Sequence, residues 1–263
     1  MIQSAHVIGQ GRLGHHWADR LEELGIRTHR WSRTPSDNVR DLHHWDASLQ
    51  TDAVFIAVPD GAISEVAARI APGLQPGTLL AHHAGAVPLN ALPVPPSDRA
   101  VMWPPMTFIS GQAPDWSTMP IAVETVNPHW INWAQRISPK AFSLTSDSRR
   151  ALHVGAVLAG NLTAAWLGTV EGYLETHQLS LDVLAPLVEE SVSNALKGKA
   201  LTTVSGPASR NDRTTLEHQT AVLSDPAHGP SELATLHRIL TNRILHQHGH
   251  DPLPPFQATA PTH

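Results

Sequence analysis

With 263 residues, of which 41% are hydrophobic, the chain has room for two ordinary domains and enough apolar material to bury a core. A formal charge of −5, with no run of Lys or Arg, argues against nucleic acid and anionic membrane as partners. Cysteine is absent, which excludes disulfides, thiol nucleophiles and thiolate metal sites. No basic-then-apolar leader pattern and no run of eighteen apolar residues is visible, so a soluble cytoplasmic protein is expected.

Ser4 to Ile8 reads as a short buried strand, followed at once by Gly9-Gln10-Gly11-Arg12-Leu13-Gly14. In this G-x-G-x-x-G spacing Gly9 permits a tight turn, Gly11 lets backbone N–H groups approach a pyrophosphate, and Gly14 lets helix and strand pack closely. The helix behind it carries Leu13, Trp17, Leu21 and Leu24 on one face, and Gly25 stands where a C-terminal capping glycine belongs. Its N-terminus offers a positive dipole end to phosphates. Arg27 to Trp31 is the second strand. An NAD site would carry Asp or Glu at its end, about 20 residues past the glycines. The chain has Ser32-Arg33-Thr34 instead, a guanidinium and two hydroxyls suited to a 2′-phosphate, so NADP(H) is the expected cofactor.

Pro35 to Gln50 is polar, with one short helical turn at most. Ala53 to Val58 is a continuous apolar run, as in a strand covered on both faces. Pro59 stops it and Asp60-Gly61 opens a helix with Ile63, Val66, Ala67 and Ile70 inward. Thr78 to His82 and Ala100 to Trp103 are further strands, the latter closed by Pro104-Pro105. Met119 to Thr125 and Ala141 to Thr145 are two more, around a helix at Pro128 to Ile137. Alternating strands and helices predict a doubly wound sheet with ligands beyond the carboxyl ends of its strands. Val58, Pro59, Asp60, His82, His83, Trp103 and Pro104 are therefore expected around the nicotinamide and substrate.

From about Asp147 the pattern becomes helical. Ser148 to Thr176 is one long helix, apolar on more than one face, as expected for burial between neighbours or subunits. Leu181 to Lys197 is a second, Asp212 or Thr214 caps a third through about Leu223, and Ser231 to His246 is a fourth. The expected organisation is α/β: an N-terminal Rossmann domain over residues 1–147, an all-α dimerisation domain over 148–250, and a flexible proline-rich tail over 251–263. Of the eighteen histidines, six stand in the pairs His15-His16, His43-His44 and His82-His83 and three more are His246, His248 and His250, none with metal-ligand spacing, so no catalytic metal is expected.

Several blocks resemble a known family. Gly9-x-Gly11-x-x-Gly14 with Ser32-Arg33-Thr34 is similar to the 6-phosphogluconate and 3-hydroxyisobutyrate dehydrogenase superfamily. The blocks Ala57–Asp60, His82–Leu89, Trp103–Phe108, Leu152-His153 through Asn161, and Gly206–Asp212 resemble Rossmann-like proteins whose C-terminal part is the domain of unknown function 2520. Pyrroline-5-carboxylate reductase is a more distant look-alike. The resemblance implies a Rossmann domain, a helical dimerisation domain and an NADP-dependent oxidoreductase, without a substrate. The chain departs from the family pattern at Ala84, Trp103 and Met106. Val157 stands where the hydroxy-acid dehydrogenases carry Lys, so a lysine acid/base is not expected.

Hydride transfer to a small carbonyl or imine needs a proton donor, transfer from a hydroxy acid needs a group to take the proton, and histidine titrates in the useful range. His153 is a candidate donor or substrate hydrogen-bonder with Asn161 as orienter, against the alternative that the histidine caps a helix or satisfies a helix-packing contact. His83 is a further catalytic candidate. Trp103 either walls the substrate pocket or is core, and Arg210, Asn211 and Asp212 either clamp a substrate carboxylate or cap a helix. Two rival functions stay open: a dinucleotide-binding sensor or partner module without turnover, and hydride exchange with a deazaflavin such as F420.

Overall fold

Ser4–Ile8 forms β1, buried at every position, in a computed structural model that describes residues 2–45, 50–109, 111–198, 200–225 and 231–254. The first glycine turn leads into α1 (Arg12–Glu23), which buries Trp17 and Leu21 and ends before Gly25 at φ +75°. Parallel β2 (Arg27–Ser32) lies on one side of β1, with the two-residue β3 (Arg40–Asp41) outside it. On the other side come β4 (Ala53–Ile56), β5 (Leu79–His82) and β6 (Arg99–Trp103), all parallel. Then β7 (Ile121–Glu124) pairs antiparallel with β6, and β8 (Ala141–Ser143) runs parallel to β7. The order is thus β3-β2-β1-β4-β5-β6-β7-β8. Successive connections leave β1 in opposite directions, so the crevice between β1 and β4 is the point where such sheets bind ligands.

Helices cover both faces. α1 and α3 (Pro128–Ile137) pack Trp17, Leu21 and Trp133 against Phe55 and Met102. α2 (Ile63–Ile70) seats Ile63, Ala67 and Ile70 against Trp31, Val54 and Leu80 on the other. His6 lies in this second core, fully buried, accepting a 2.9 Å hydrogen bond at Nδ1 from Trp31 Nε1. Burial, then the nearby His29, Arg40 and Arg27, lowers its pKa to about 4.

The chain divides into two compact units, Met1–Gly160 and Asn161–His263. The first includes α4 (Ser146–Ala156), which the sequence pattern joins to the helical domain after residue 147. α4 stays with the sheet because Arg149 is fully buried on it and Leu152 and Ala156 pack with Trp103 and Ala122.

A π turn, Val157–Asn161, carries the helix on into α5 (Leu162–Thr176). The 31-residue helix Ser146–Thr176 is long and apolar enough to cross a membrane by length and composition. The second unit continues through α6 (Ala185–Lys197), α7 (Arg213–Ser224) and α8 (Ser231–Gln247). Leu181–Leu184, expected as the start of α6, is a 3₁₀ turn capped by Ser180. The expected tail begins ordered. Leu253 is buried with Leu216 and Leu245, and its N–H donates to Asn242 Oδ1 at 2.7 Å. Residues 255–263 of that tail lie outside the described residues.

Candidate active site

The cleft is built from the glycine turn. Gly9 has φ +99°, and a Cβ there would stand 2.4 Å from the carbonyl oxygen of Ala57. A Cβ on Gly14 would meet the carbonyl oxygen of Gly9 at 1.9 Å, so both glycines are forced by backbone against backbone. Gly11 differs: a Cβ there would meet nothing within 4 Å. The open space before the first turn of α1 is where a pyrophosphate reaches free N–H groups. No acidic residue occupies that turn, and no side chain caps it. Gln10 is tied back, its Nε2 donating to the carbonyl of Gly9 at 3.1 Å.

Two hollows share this turn. One, of about 390 Å³, runs from Gly11 past Ser32 and Arg33 to His43, Val66 and Arg69. The other, of about 260 Å³, runs from Gly11, Arg12 and Leu13 along Val58, Pro59 and Asp60 to His83 and Ala84. Gly11, Ala57, Val58 and Pro59 border both, which makes one continuous cleft along the carboxyl ends of β2, β1, β4 and β5. A larger, open hollow of about 560 Å³ lies at the amino ends. Its Asp52 is already satisfied by Gln3 N, Ser4 N and Ser4 Oγ, so it offers no comparable chemistry.

At the β2 end Ser32 Oγ accepts from Thr34 N at 3.1 Å. The Ser32 hydroxyl proton therefore remains free to donate. Arg33 is exposed and borders the hollow, whereas Thr34 shapes the turn without bordering it. Sequence reasoning missed the opposite wall: Leu42, His43 and one face of α2. Arg69 is fixed there by a 2.9 Å hydrogen bond from Nη2 to the carbonyl of His43. No local pattern announces a contact across 26 residues.

The β5 end is sealed rather than open. Ala84 N–H donates to His82 Nδ1 at 3.2 Å, so His82 carries its proton on Nε2. Burial, against the weaker pull of the Pro88 carbonyl and with help from Arg149, lowers its pKa to about 4. His82 is expected at the cofactor, yet it is fully buried, and His83 and Ala84 border the cleft instead. His83 donates from Nδ1 to the carbonyl of Met102 at 2.7 Å and packs its ring 4.1 Å from that of Trp17. Its Nε2 is shut off from solvent, and burial also lowers its pKa to about 4. His83, expected as a catalytic candidate, thus borders the cleft with Nδ1 committed to the Met102 carbonyl and Nε2 enclosed.

Arg149 holds this wall. Its Nε donates to Glu124 Oε2 at 2.6 Å, and Nη1 donates to the carbonyls of Gly85 and Ala84. Ser146 Oγ donates to the other Glu124 oxygen. A buried guanidinium is tolerable because it is paired and hydrogen-bonded at once. The clamp lays α4 over Gly85, where a Cβ would stand 2.4 Å from His153 Nδ1 and 2.8 Å from the Trp103 ring. His153 meets Trp103 edge-on at 5.3 Å, and its Nδ1 is sealed and unpartnered, leaving Nε2 as the outward nitrogen. Trp103 and Pro104 are buried beside it.

Asn161 begins the second unit, at the end of the π turn. In that unit Asp212 caps α7, accepting from Thr215 N at 3.1 Å and Thr215 Oγ1 at 2.7 Å. Asn211 sits at φ +59° and accepts from Arg213 Nε at 2.7 Å, while Arg210 is exposed. No cluster of three metal-ligating side chains occurs among the described residues.

Residues 120–244 match the family described as the domain of unknown function 2520. Among solved structures, a candidate NADP oxidoreductase from Bacteroides fragilis is similar at 23% identity and a TM-score of 0.78, over 93% of this chain and 98% of that one. A protein from Thermotoga maritima shares 18% identity with a TM-score of 0.68, over 94% and 100% of the two chains. An imine reductase from Myxococcus stipitatus, in complex with NADP⁺, shares 14% identity with a TM-score of 0.66, over 95% and 97%. No curated protein matches the chain. The matched segment, residues 120–244, takes in β7 and β8 of a Rossmann-type α/β sheet and most of the helical C-terminal part.

Proposed function

We propose that the chain is an NADP(H)-dependent oxidoreductase acting on a small carbonyl, hydroxy acid or imine. One observation carries this reading: a continuous cleft whose glycine turn stays open at Gly11 and whose β2 end presents Ser32 and Arg33 instead of a carboxylate. The residues fit the cofactor. Gly11 and the first turn of α1 would hold the pyrophosphate, and Arg33 with the Ser32 hydroxyl would take the 2′-phosphate. Bound there, NADP(H) supplies or accepts hydride. Structures similar to this chain hold such cofactors: the imine reductase contains NADP⁺, and a reductive aminase from Aspergillus terreus contains NADPH. Imines therefore belong among the first substrates to try.

With His82 and His83 held neutral, His153 is the group we assign to hold the proton, at its outward Nε2. Trp103 and Pro104 would keep water from it, and Asn161 is proposed as an orienter further along the helix. A second copy of the chain is the proposed partner. Leu162, Leu187, Leu196, Ile239 and Leu240 are all about half exposed or more in the single chain, an apolar excess that monomers rarely leave uncovered.

A sensor without turnover is the second reading, favoured by Val157 in place of a lysine and by the two silenced histidines. Calorimetry with NADPH followed by absorbance at the nicotinamide band, across keto acids and cyclic imines, separates the two. Binding with oxidation of NADPH supports the enzyme; binding without oxidation on any substrate favours the sensor; no binding removes both.

A further inference from the structure

We infer that Arg69, at the last turn of α2, is a second cation of the 2′-phosphate subsite and sets cofactor preference together with Arg33. The inference rests on the NADP(H) reading above. Val66 and Arg69, with Ala62 as the cap residue before them, recur at helical spacing and present one face of α2 to the hollow that Ser32 and Arg33 border. The register of β3 supplies the geometry. Trp31 pairs with Arg40 and Ser32 with Asp41, so the 3₁₀ turn Leu42–His44 follows directly beside the Ser32–Arg33 end of β2. The carbonyl of His43 in that turn is the one that Arg69 Nη2 grips at 2.9 Å.

That bond matters for preorganisation. An exposed arginine ordinarily pays rotamer entropy to meet a ligand, and one anchored nitrogen removes part of that cost. Nε, Nη1 and the second Nη2 proton remain as donors, so the guanidinium can offer a phosphate a paired contact along one edge while a single Nη2 proton holds the carbonyl. The neighbouring charges do not compete for it. Asp41 is engaged with His43 N at 2.8 Å and with the His44 ring, Arg40 lies over the ring of Trp31, and Glu65, one turn back on α2, forms no ion pair with Arg69 among the described residues. A 2′-phosphate carries roughly two negative charges near neutrality, more than Arg33 alone balances.

The test is calorimetry of wild type and Arg69→Ala with four probes: NADPH, NADH, 2′,5′-ADP and 5′-ADP. Thermal unfolding is run on each sample to check folding, which an exposed side chain should not disturb. The expected result is a loss of about tenfold or more for NADPH and 2′,5′-ADP, with NADH and 5′-ADP within about twofold, as for one charged contact to phosphate. Equal losses for all four probes mean that Arg69 stacks on the adenine and overturn the assignment, as does an unchanged preference for NADPH. If wild type itself binds none of the four, the cofactor reading has failed, and this inference falls with it.

Discussion

The two ends of the cleft are built on opposite plans. At the β2 end the polar groups are exposed and largely uncommitted among the described residues: Arg33 is exposed, Ser32 keeps its hydroxyl proton, and Arg69 spends one nitrogen on His43. At the β5 end the charges of Arg149 and Glu124 are buried and paired. Arg149 binds Glu124 and two loop carbonyls, and His82 and His83 are sealed and neutral. The difference separates groups that wait for a ligand from groups that hold the wall the ligand lies against. Substitutions at the first end should cost affinity and little stability; those at the second should cost stability first.

The largest effect is expected at Arg149. Arg149→Met leaves Glu124 buried without its cation, and breaking such a pair costs about 3–5 kcal/mol. Urea unfolding should register that loss, and a change under about 1 kcal/mol would show that the β5 end is not held this way. Arg33→Ala should come next, in affinity. Losing hydrogen bonds to a charged phosphate costs about 1.5–3 kcal/mol, or roughly ten- to a hundredfold for NADPH. NADH affinity and the urea midpoint should stay nearly unchanged; a large drop in stability would erase the distinction between the two ends.

The smallest effect is a pH dependence that sharpens the comparison. His6, His82 and His83 have folded pKa values of about 4, against the usual 6.5 when unfolded. The unfolded chain therefore binds more protons between those values, and stability falls as pH drops from about 6.5 toward 4. Above 6.5 these histidines contribute no slope. The urea midpoint should be lower at pH 5 than at pH 7.5, and His6→Phe should flatten part of that fall. A midpoint that rises on acidification would contradict the buried, neutral state of these rings.

What the sequence makes legible follows the range of the interactions. The glycine turn, the α1 face of Trp17 and Leu21 and the apolar run in β4 are set by neighbours a few residues away, and their periodicity is visible directly. Asp212 as the cap of α7 is equally local. The two-residue β3 is too short and too polar to announce itself, and the antiparallel turn of β7 is a property of the sheet, not of its own residues. The site behaves likewise. Ser32 and Arg33 are readable because the turn that precedes them fixes their distance along the chain. Arg149 meets Glu124 across 25 residues and the carbonyl of Gly85 across 64, and nothing local distinguishes a buried arginine from a solvated one. His82 and His83 show the same limit: the pair stands at a strand's carboxyl end, but only the full burial of His82 and the packing of His83 against Trp17 and the Met102 carbonyl reveal how their rings sit.

The central claim is that the open turn at Gly11 and the cationic end of β2 commit the cleft to a phosphorylated nicotinamide dinucleotide. Titration calorimetry of folded protein with NADPH and with NADH tests it most directly. The account predicts saturable binding of NADPH, at least about tenfold tighter than NADH, the free energy of one charged phosphate contact. Equal affinities, or no saturable heat with NADPH, would contradict it.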